Sequence, residues 1–147
     1  MQGRCLCGSV TLTAPDHTEI EVCHCDMCRR WAGGPAFVIG FKASDLIIEG
    51  REHITDYSSS DWADRGFCKH CGTHLYYRMK TDGFHTIGAG LFTKASGMLV
   101  TKQIFIDEKP AYYDLANETP VMTGQEVFEA YPLTDIPDPD AGSLSPH

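Results

Sequence analysis

The segment Cys68-Lys69-His70-Cys71-Gly72 constrains the fold more strongly than any other part of the sequence. Two cysteines separated by two residues are typical of a zinc knuckle, in which a tight turn lets both thiolates bind one tetrahedral ion. Gly72 supplies the backbone freedom that such turns often need. We therefore predict a metal-binding hairpin at this segment.

A second cysteine pair, Cys5-Leu6-Cys7, lies near the beginning of the chain. Side chains two residues apart in a β-strand point to the same face, so this spacing would present two thiolates side by side. With Cys68 and Cys71 the pair makes a closed set of four ligands, called the outer cluster below. A closed four-cysteine set is typical of a structural zinc ion. Such an ion supplies stability that the small hydrophobic core of a short β domain does not provide.

A third segment, Cys23-His24-Cys25-Asp26-Met27-Cys28, holds the remaining three cysteines. Cys23, Cys25 and Cys28, called the inner cluster below, leave the fourth position of a tetrahedral ion open, as catalytic zinc sites do. They are therefore the candidate catalytic residues. Two alternatives stay open: a structural ion completed by His24 or a distant histidine, and thiol redox chemistry at the C-x-x-C pair Cys25 and Cys28.

Length and composition are typical of one compact domain. The chain has 147 residues, of which 42% are hydrophobic, and a formal net charge of -8 that disfavours nucleic acids and anionic membranes as partners. No run approaches the ~18 apolar residues of a membrane span, and the first ten residues lack the apolar region of a signal peptide. We therefore expect a cytoplasmic protein, and in that reducing compartment the cysteines stay free for metal binding or catalysis.

Short stretches rich in Val, Ile, Phe, Tyr and Thr alternate with Gly, Pro, Asp and Ser, which predicts a mainly β fold with very little helix. One helical turn is expected at 26–31 and a weaker helix at 124–131. We expect a single zinc domain over 1–131 and a mobile tail over 132–147, which has little to bury. The predicted strands are 4–13, 19–23, 36–41, 46–49, 54–58, 73–79, 85–90 and 102–106.

Three segments of the chain match a known family. They are Gly3-Arg4-Cys5-Leu6-Cys7-Gly8-Ser9-Val10, Cys23-His24-Cys25-Asp26-Met27-Cys28-Arg29-Arg30 and Phe67-Cys68-Lys69-His70-Cys71-Gly72-Thr73-His74-Leu75. Over about residues 3–118 the chain resembles the glutathione-dependent formaldehyde-activating enzyme family, which also includes the centromere protein V group. The resemblance implies a tent-like arrangement of antiparallel sheets folded around zinc.

The resemblance also implies how the cysteines are used. The outer cluster would hold a structural zinc ion and the inner cluster a catalytic one, which gives two ions per chain. The implied reaction is the addition of glutathione to formaldehyde to give S-hydroxymethylglutathione, a carbon-sulfur lyase reaction in reverse. We therefore expect the substrate to be glutathione, or a related small thiol, and its adduct with an aldehyde.

A second function is a non-catalytic β domain, held together by zinc, that binds another protein. An enzyme needs a coordination position that solvent can reach, whereas a binding module would close that position. Glutathione carries two carboxylates, so its capture by an acidic protein requires local basic residues. Arg29, Arg30, Arg65 and Lys69 lie beside the cysteines; each is expected as a solvated surface charge, with Arg29 and Arg30 as candidate contacts to glutathione.

Histidines near the cysteines are expected to support the site rather than to act in it. In an extended segment the His24 side chain would point away from the cysteines on either side, which favours a packing role. His70 and His74 are expected to be exposed or structural. Two positions depart from the family's pattern and bear on substrate choice: Gln103 stands where many members have histidine, and Tyr112 where tryptophan is common.

Overall fold

The computed structural model describes residues 1–133, which contain two β-sheets and two α-helices. The predicted tail at 132–147 lies outside these residues except for its first two positions. The helices are α1 (Asp26–Ala32) and α2 (Gly124–Ala130), and within 1–133 no helix has the length and apolar character to cross a membrane. The strands are β1 (Gln2–Arg4), β2 (Thr11–Thr13), β3 (Glu19–Cys23), β4 (Ala36–Phe41), β5 (Ile47–Glu49), β6 (Ile54–Ser58), β7 (Ala63–Cys68), β8 (His74–Met79), β9 (His85–Gly88), β10 (Leu99–Ile104) and β11 (Val121–Met122). The prediction of a mainly β fold is confirmed.

The larger sheet has eight strands in the order β11-β10-β3-β4-β9-β8-β7-β6. Its strands pair in antiparallel fashion, except that β10 runs parallel to both β3 and β11. Strands β3 and β10 are far apart in sequence, so no hairpin forces them to run in opposite directions. The smaller sheet is antiparallel, in the order β1-β2-β5.

Side chains from both sheets form one hydrophobic core. Leu12 of the smaller sheet and Ile39 and Ile87 of the larger sheet are among its most deeply buried members. Burial of an aliphatic side chain of this size contributes about 1.5–3 kcal/mol. Cys5 and Cys68 belong to the same core, so the outer cluster is continuous with the hydrophobic packing of the domain.

Helix α1 follows β3 after two residues and positions the inner cluster. Cys25 is its N-cap, and the Cys25 Sγ accepts a hydrogen bond from the Cys28 N–H at 3.4 Å. Gly33, with a φ of 80°, ends the helix and donates its N–H to the Arg29 carbonyl at 2.9 Å. The helical turn predicted at 26–31 is confirmed, and it places two cysteines beside the end of β3.

One strand prediction is wrong, and two strands, β7 and the short β11, are not predicted. The stretch predicted as one strand at 4–13 is divided into β1 and β2 by a turn that Gly8 allows with a φ of 79°. Strand β7 was not predicted, because its sequence includes Asp64 and Gly66, residue types that are depleted in strands. It forms because β6 and β8 pair with it on both sides.

Candidate metal centres

The outer cluster brings together the sulfur atoms of Cys5, Cys7, Cys68 and Cys71, as the sequence predicts. All four sulfurs lie within 4.8 Å of one another. The Cys7 Sγ is 3.6 Å from the Cys5 Sγ and 3.7 Å from the Cys68 Sγ. Four sulfurs at ~2.3 Å from a tetrahedral ion lie about 3.8 Å apart, so this donor set fits a zinc-sized ion.

The turn that follows Cys68 shapes the outer cluster. Gly72, with a φ of 74°, donates its N–H to the Cys68 carbonyl at 2.8 Å. The Thr73 Oγ1 lies 3.1 Å from the Cys71 Sγ and accepts the Leu6 N–H at 3.1 Å, which ties this turn to the N-terminal cysteine pair. Hydrogen bonds from the Thr73 side chain and backbone lower the pKa of Cys71 to about 5, which favours its thiolate form.

Cys5 and Cys7 reach the outer cluster from a turn between β1 and β2. The prediction that a strand presents them side by side is therefore wrong, although the predicted ligand pair is the same. The Val10 N–H donates to the Cys5 Sγ at 3.3 Å, and the Ser9 Oγ lies 3.2 Å from the Cys7 Sγ. Donors around a sulfur stabilise its charged form, which is the form that binds a metal ion.

The inner cluster consists of Cys23, Cys25 and Cys28, whose sulfurs all lie within 4.8 Å of one another. Cys23 ends β3 and is buried, whereas Cys25 and Cys28 are partly exposed on α1. Within residues 1–133 no fourth histidine, cysteine or carboxylate joins this group, so a tetrahedral ion held here would have three protein ligands. The sharing of one site by three sulfurs favours metal binding over disulfide exchange between two of them.

His24 is fully buried, and both of its ring nitrogens have partners other than the cysteines. Its Nε2 lies 2.8 Å from the Gln103 Oε1 and its Nδ1 lies 2.6 Å from the Tyr113 hydroxyl. Because an amide oxygen only accepts, Nε2–H donates to Gln103 and Nδ1 accepts from Tyr113. The Gln103 Nε2 then donates to the Thr119 Oγ1 at 3.2 Å. His24 therefore supports the inner cluster and is not its fourth ligand.

Arg65 of β7 contacts the inner cluster, and the prediction that it is a solvated surface charge is wrong. The side chain is only 6% exposed, and its Nη1 and Nη2 lie 3.7 and 3.6 Å from the Cys28 Sγ. Its Cζ lies 6.0 Å from the Trp31 ring centroid and 5.2 Å from that of Tyr77. The Arg65 Nε donates to the Ser59 Oγ at 3.2 Å.

Trp31 fixes α1 against the larger sheet and thereby sets the distance between Cys28 and Arg65. The Trp31 ring stacks on His74 with centroids 4.6 Å apart, and it packs edge-on against Phe67 at 5.8 Å. Aromatic pairs at such separations contribute about 0.5–1.5 kcal/mol beyond the area that they bury. This packing joins the helix that carries two inner cysteines to the strand that carries the arginine.

The pKa values of the inner cysteines are shifted in opposite directions. Hydrogen bonds from the thiols of Cys23 and Cys25, followed by the nearby Arg65 guanidinium, lower the pKa of Cys28 far below that of a free thiol. Hydrogen bonds to the sulfurs of Cys25 and Cys28, followed by burial, raise the pKa of Cys23. Of the three sulfurs, the one that faces the arginine is therefore the most readily ionised.

The other basic residues near the cysteines lie on α1 and in the knuckle. The Arg29 Nε donates to the His24 carbonyl at 2.9 Å, and its side chain is 23% exposed. Arg30 is 75% exposed and forms an ion pair of 2.9 Å with Asp26. Lys69 is exposed. Arg29 and Arg30 thus lie on the helix that carries the inner cluster, with Arg30 the more accessible to a ligand.

A mainly β chain in which seven cysteines form a four-sulfur and a three-sulfur cluster is a candidate metalloprotein with two ion sites. The family model for glutathione-dependent formaldehyde-activating enzymes matches residues 1–108. The chain therefore belongs to this family.

Relatives and a solved structure agree with this family membership. An uncharacterized lyase of Schizosaccharomyces pombe is 36% identical over 132 residues, which are 88% of this chain and 95% of that protein. A protein of Halomonas elongata that carries the family's name is 29% identical over 85 residues, 52% of this chain and 54% of its own. A crystal structure of a Rhodobacter sphaeroides protein has a TM-score of 0.54 and 20% identity, and the match covers 82% of this chain and 99% of that one. The last similarity supports the fold.

Proposed function

We propose that this protein is a zinc-dependent carbon-sulfur lyase that forms and cleaves adducts of glutathione, or a related small thiol, with an aldehyde such as formaldehyde. The observation that carries the proposal is the partly exposed three-sulfur cluster, which has one tetrahedral corner without a protein ligand among residues 1–133. Family membership and a relative named as a lyase support an enzyme of this type.

Zinc is the ion that we propose for both clusters. Thiolates are soft donors that favour zinc over calcium or magnesium, and the sulfur spacings of 3.6 and 3.7 Å in the outer cluster suit its tetrahedral coordination. Seven free cysteines also favour a reducing compartment such as the cytosol. When bound at the inner cluster, zinc supplies a positive centre that lowers the pKa of a substrate thiol and favours its nucleophilic thiolate form.

The proposed reaction is redox-neutral. In the direction of synthesis the substrate thiolate attacks the aldehyde carbon, a carbon-sulfur bond forms, and the carbonyl double bond becomes a carbon-oxygen single bond. The oxygen takes up a proton equivalent to the one that the thiol has lost. In the lyase direction the hydroxyl loses this proton, the carbon-sulfur bond breaks, and the thiolate leaves.

The residues of the chain contribute position and charge to this reaction. Cys23, Cys25 and Cys28 would hold the ion through their three sulfurs, and a substrate sulfur bound to the same ion would be positioned beside them. We propose that Arg29 and Arg30 bind the glutathione carboxylates, since both lie on α1, the helix that also carries Cys28, and Arg30 is largely exposed. A local cationic pair offsets the repulsion that a chain of net charge -8 exerts on an anionic substrate.

The test is an exchange experiment with the zinc-loaded protein, glutathione and a panel of aldehydes. NMR exchange spectroscopy measures how fast S-hydroxymethylglutathione forms and decays, which separates catalysis from the spontaneous reaction. We expect acceleration with at least one aldehyde, and its loss in Cys25→Ser. A folded protein with two zinc ions that accelerates none of these exchanges would favour the non-catalytic binding module instead.

A further inference from the structure

Arg65 is a buried cation that lacks a carboxylate partner among the described residues. Its polar contacts are the Cys28 Sγ, at 3.6 Å from Nη2, and the Ser59 Oγ, at 3.2 Å from Nε. Burial of a guanidinium costs free energy unless an anion compensates it. Within residues 1–133 the Cys28 sulfur is the group in contact with Arg65 that can carry a negative charge.

The charge of the inner cluster explains why a cation is built into it. Three thiolates around a divalent ion carry a net charge of -1, and a substrate thiolate at the fourth position would make this -2. A neutral donor such as imidazole would leave the charge unchanged. The Arg65 guanidinium adds one positive charge to each of these totals, which become 0 and -1, so it favours the anionic fourth ligand over the neutral one.

We propose that Arg65 determines the specificity of the inner cluster for an anionic thiolate as the external ligand. The inference rests on the proposed function and assigns a cause to its preference for thiols. Arg65 is a positioning residue here, because it acts on the incoming ligand through Cys28.

The surroundings of Arg65 prevent it from leaving this position. The Trp31 and Tyr77 rings lie 6.0 and 5.2 Å from its Cζ, within the range of cation-π attraction. The hydrogen bond to Ser59 fixes Nε, the third nitrogen of the Arg65 guanidinium. A lysine at this position would keep the charge but would lose the planar stacking and two of the donors.

The test compares how an anionic and a neutral ligand bind to the cobalt-substituted protein. The probes are 2-mercaptoethanol, which has no carboxylate for Arg29 or Arg30 to bind, and imidazole. Absorption titrations follow the bands of the inner cobalt ion. The variants are Arg65→Met, Arg65→Lys and, as a control for net charge, Arg51→Met on the exposed turn before β6.

In Arg65→Met we expect binding of 2-mercaptoethanol to weaken about ten-fold or more, while binding of imidazole changes less than about two-fold. Arg65→Lys is expected to fall between this variant and the parent, and Arg51→Met to match the parent. If Arg65→Met does not fold, Arg65→Gln removes the same charge and carries the same expectation.

Three outcomes decide the matter. Equal weakening of both probes would assign Arg65 a merely structural role and overturn the inference, and so would unchanged binding of the thiol. In either case thiol binding by the parent protein, and the proposed lyase function, would stand. A parent protein that binds neither probe would overturn the proposed function itself, and this inference with it.

Discussion

The hydroxyl of Tyr113 donates a hydrogen bond of 2.6 Å to Nδ1 of the fully buried His24. This contact is the outer end of a chain that continues through Gln103 to Thr119. Tyr113→Phe would leave a buried ring nitrogen without a donor, which costs about 1–3 kcal/mol. We expect a lower free energy of unfolding in urea by this amount.

Tyr112→Phe is the matched control, because the Tyr112 side chain is 77% exposed. Substitutions at such positions usually change stability by less than about 0.5 kcal/mol. If Tyr113→Phe were as stable as Tyr112→Phe, the buried His24 would not depend on the tyrosine, and the chain behind the inner cluster would not be a stabilising unit.

The cysteine spacing predicts both clusters, because the ligands occur in short segments: the inner three lie within Cys23–Cys28, and the outer four form two pairs of closely spaced cysteines. The same spacing did not predict how the ligands are presented. Cys5 and Cys7 lie in a turn because they must wrap around a site that Cys68 and Cys71 share. A C-x-C spacing is compatible both with a strand, in which alternate side chains share a face, and with a tight turn, so the spacing does not distinguish the two.

The position of Arg65 could not be read from the sequence, because strand pairing sets it. Strand β7 has an unfavourable composition, with a glycine whose added Cβ would lie 2.4 Å from the Cζ of Tyr76. Gly66 is therefore required by ring packing on one face, while Arg65 points to Cys28 on α1. A contact between a strand and a helix 37 residues away has no local signal.

A second buried histidine predicts a pH dependence of stability. The His85 side chain is 6% exposed, its Nδ1–H donates to the Gly83 carbonyl at 2.6 Å, and its Nε2 has no partner among residues 1–133. Burial is the largest effect and lowers the pKa of His85 below the ordinary value; the hydrogen bond to the Gly83 carbonyl opposes it, and the charge of Arg78 adds to the lowering. The neutral ring is therefore the form that the fold accepts.

The lowered pKa of His85 makes the folded protein less stable at acidic pH. Below about pH 6.5 the unfolded chain binds a proton at His85 that the folded chain does not, so stability falls as the pH drops towards the lowered pKa of the folded state. Melting temperatures of the parent and of His85→Phe between pH 7.5 and 5.5 check this, since losses at the metal sites affect both proteins alike. Parallel curves would show that His85 does not contribute.

In protein purified without chelator, we expect two zinc ions per chain. Inductively coupled plasma mass spectrometry measures this metal content. A chelator is expected to remove one ion well before the other. The first lost is that of the inner cluster, because it has three protein sulfurs and two of its cysteines are partly exposed. A count that stays at one in zinc-replete protein would contradict the model of two sites.

Cys68→Ser is expected to abolish cooperative folding. The Cys68 side chain is fully buried in the hydrophobic core, and its sulfur lies 3.7 Å from that of Cys7. Structural zinc sites contribute about 10–16 kcal/mol, which is comparable with the entire stability of a small domain at about 5–15 kcal/mol. A thermal melt followed by circular dichroism should lack a transition; a cooperative melt at the parent temperature would mean that Cys68 is not a structural ligand.

Cys25→Ser separates metal binding from folding at the inner cluster. Cys25 caps α1 by accepting the Cys28 N–H, and serine is a strong N-cap, so the helix should form with either residue. The variant loses one of three ligand sulfurs but keeps the cap. We expect its melting temperature to stay within a few degrees of the parent.

Turnover of the thiol adduct should nevertheless disappear in Cys25→Ser, because two sulfurs no longer hold the ion at three corners. Cys25→Ala serves as the comparison, since it removes the ligand and the cap together and should cost about 1 kcal/mol more in stability than the serine variant. Loss of the fold in Cys25→Ser would mean that the inner ion is structural and would favour the binding module. Unchanged turnover in the folded variant would remove the inner cluster from the mechanism.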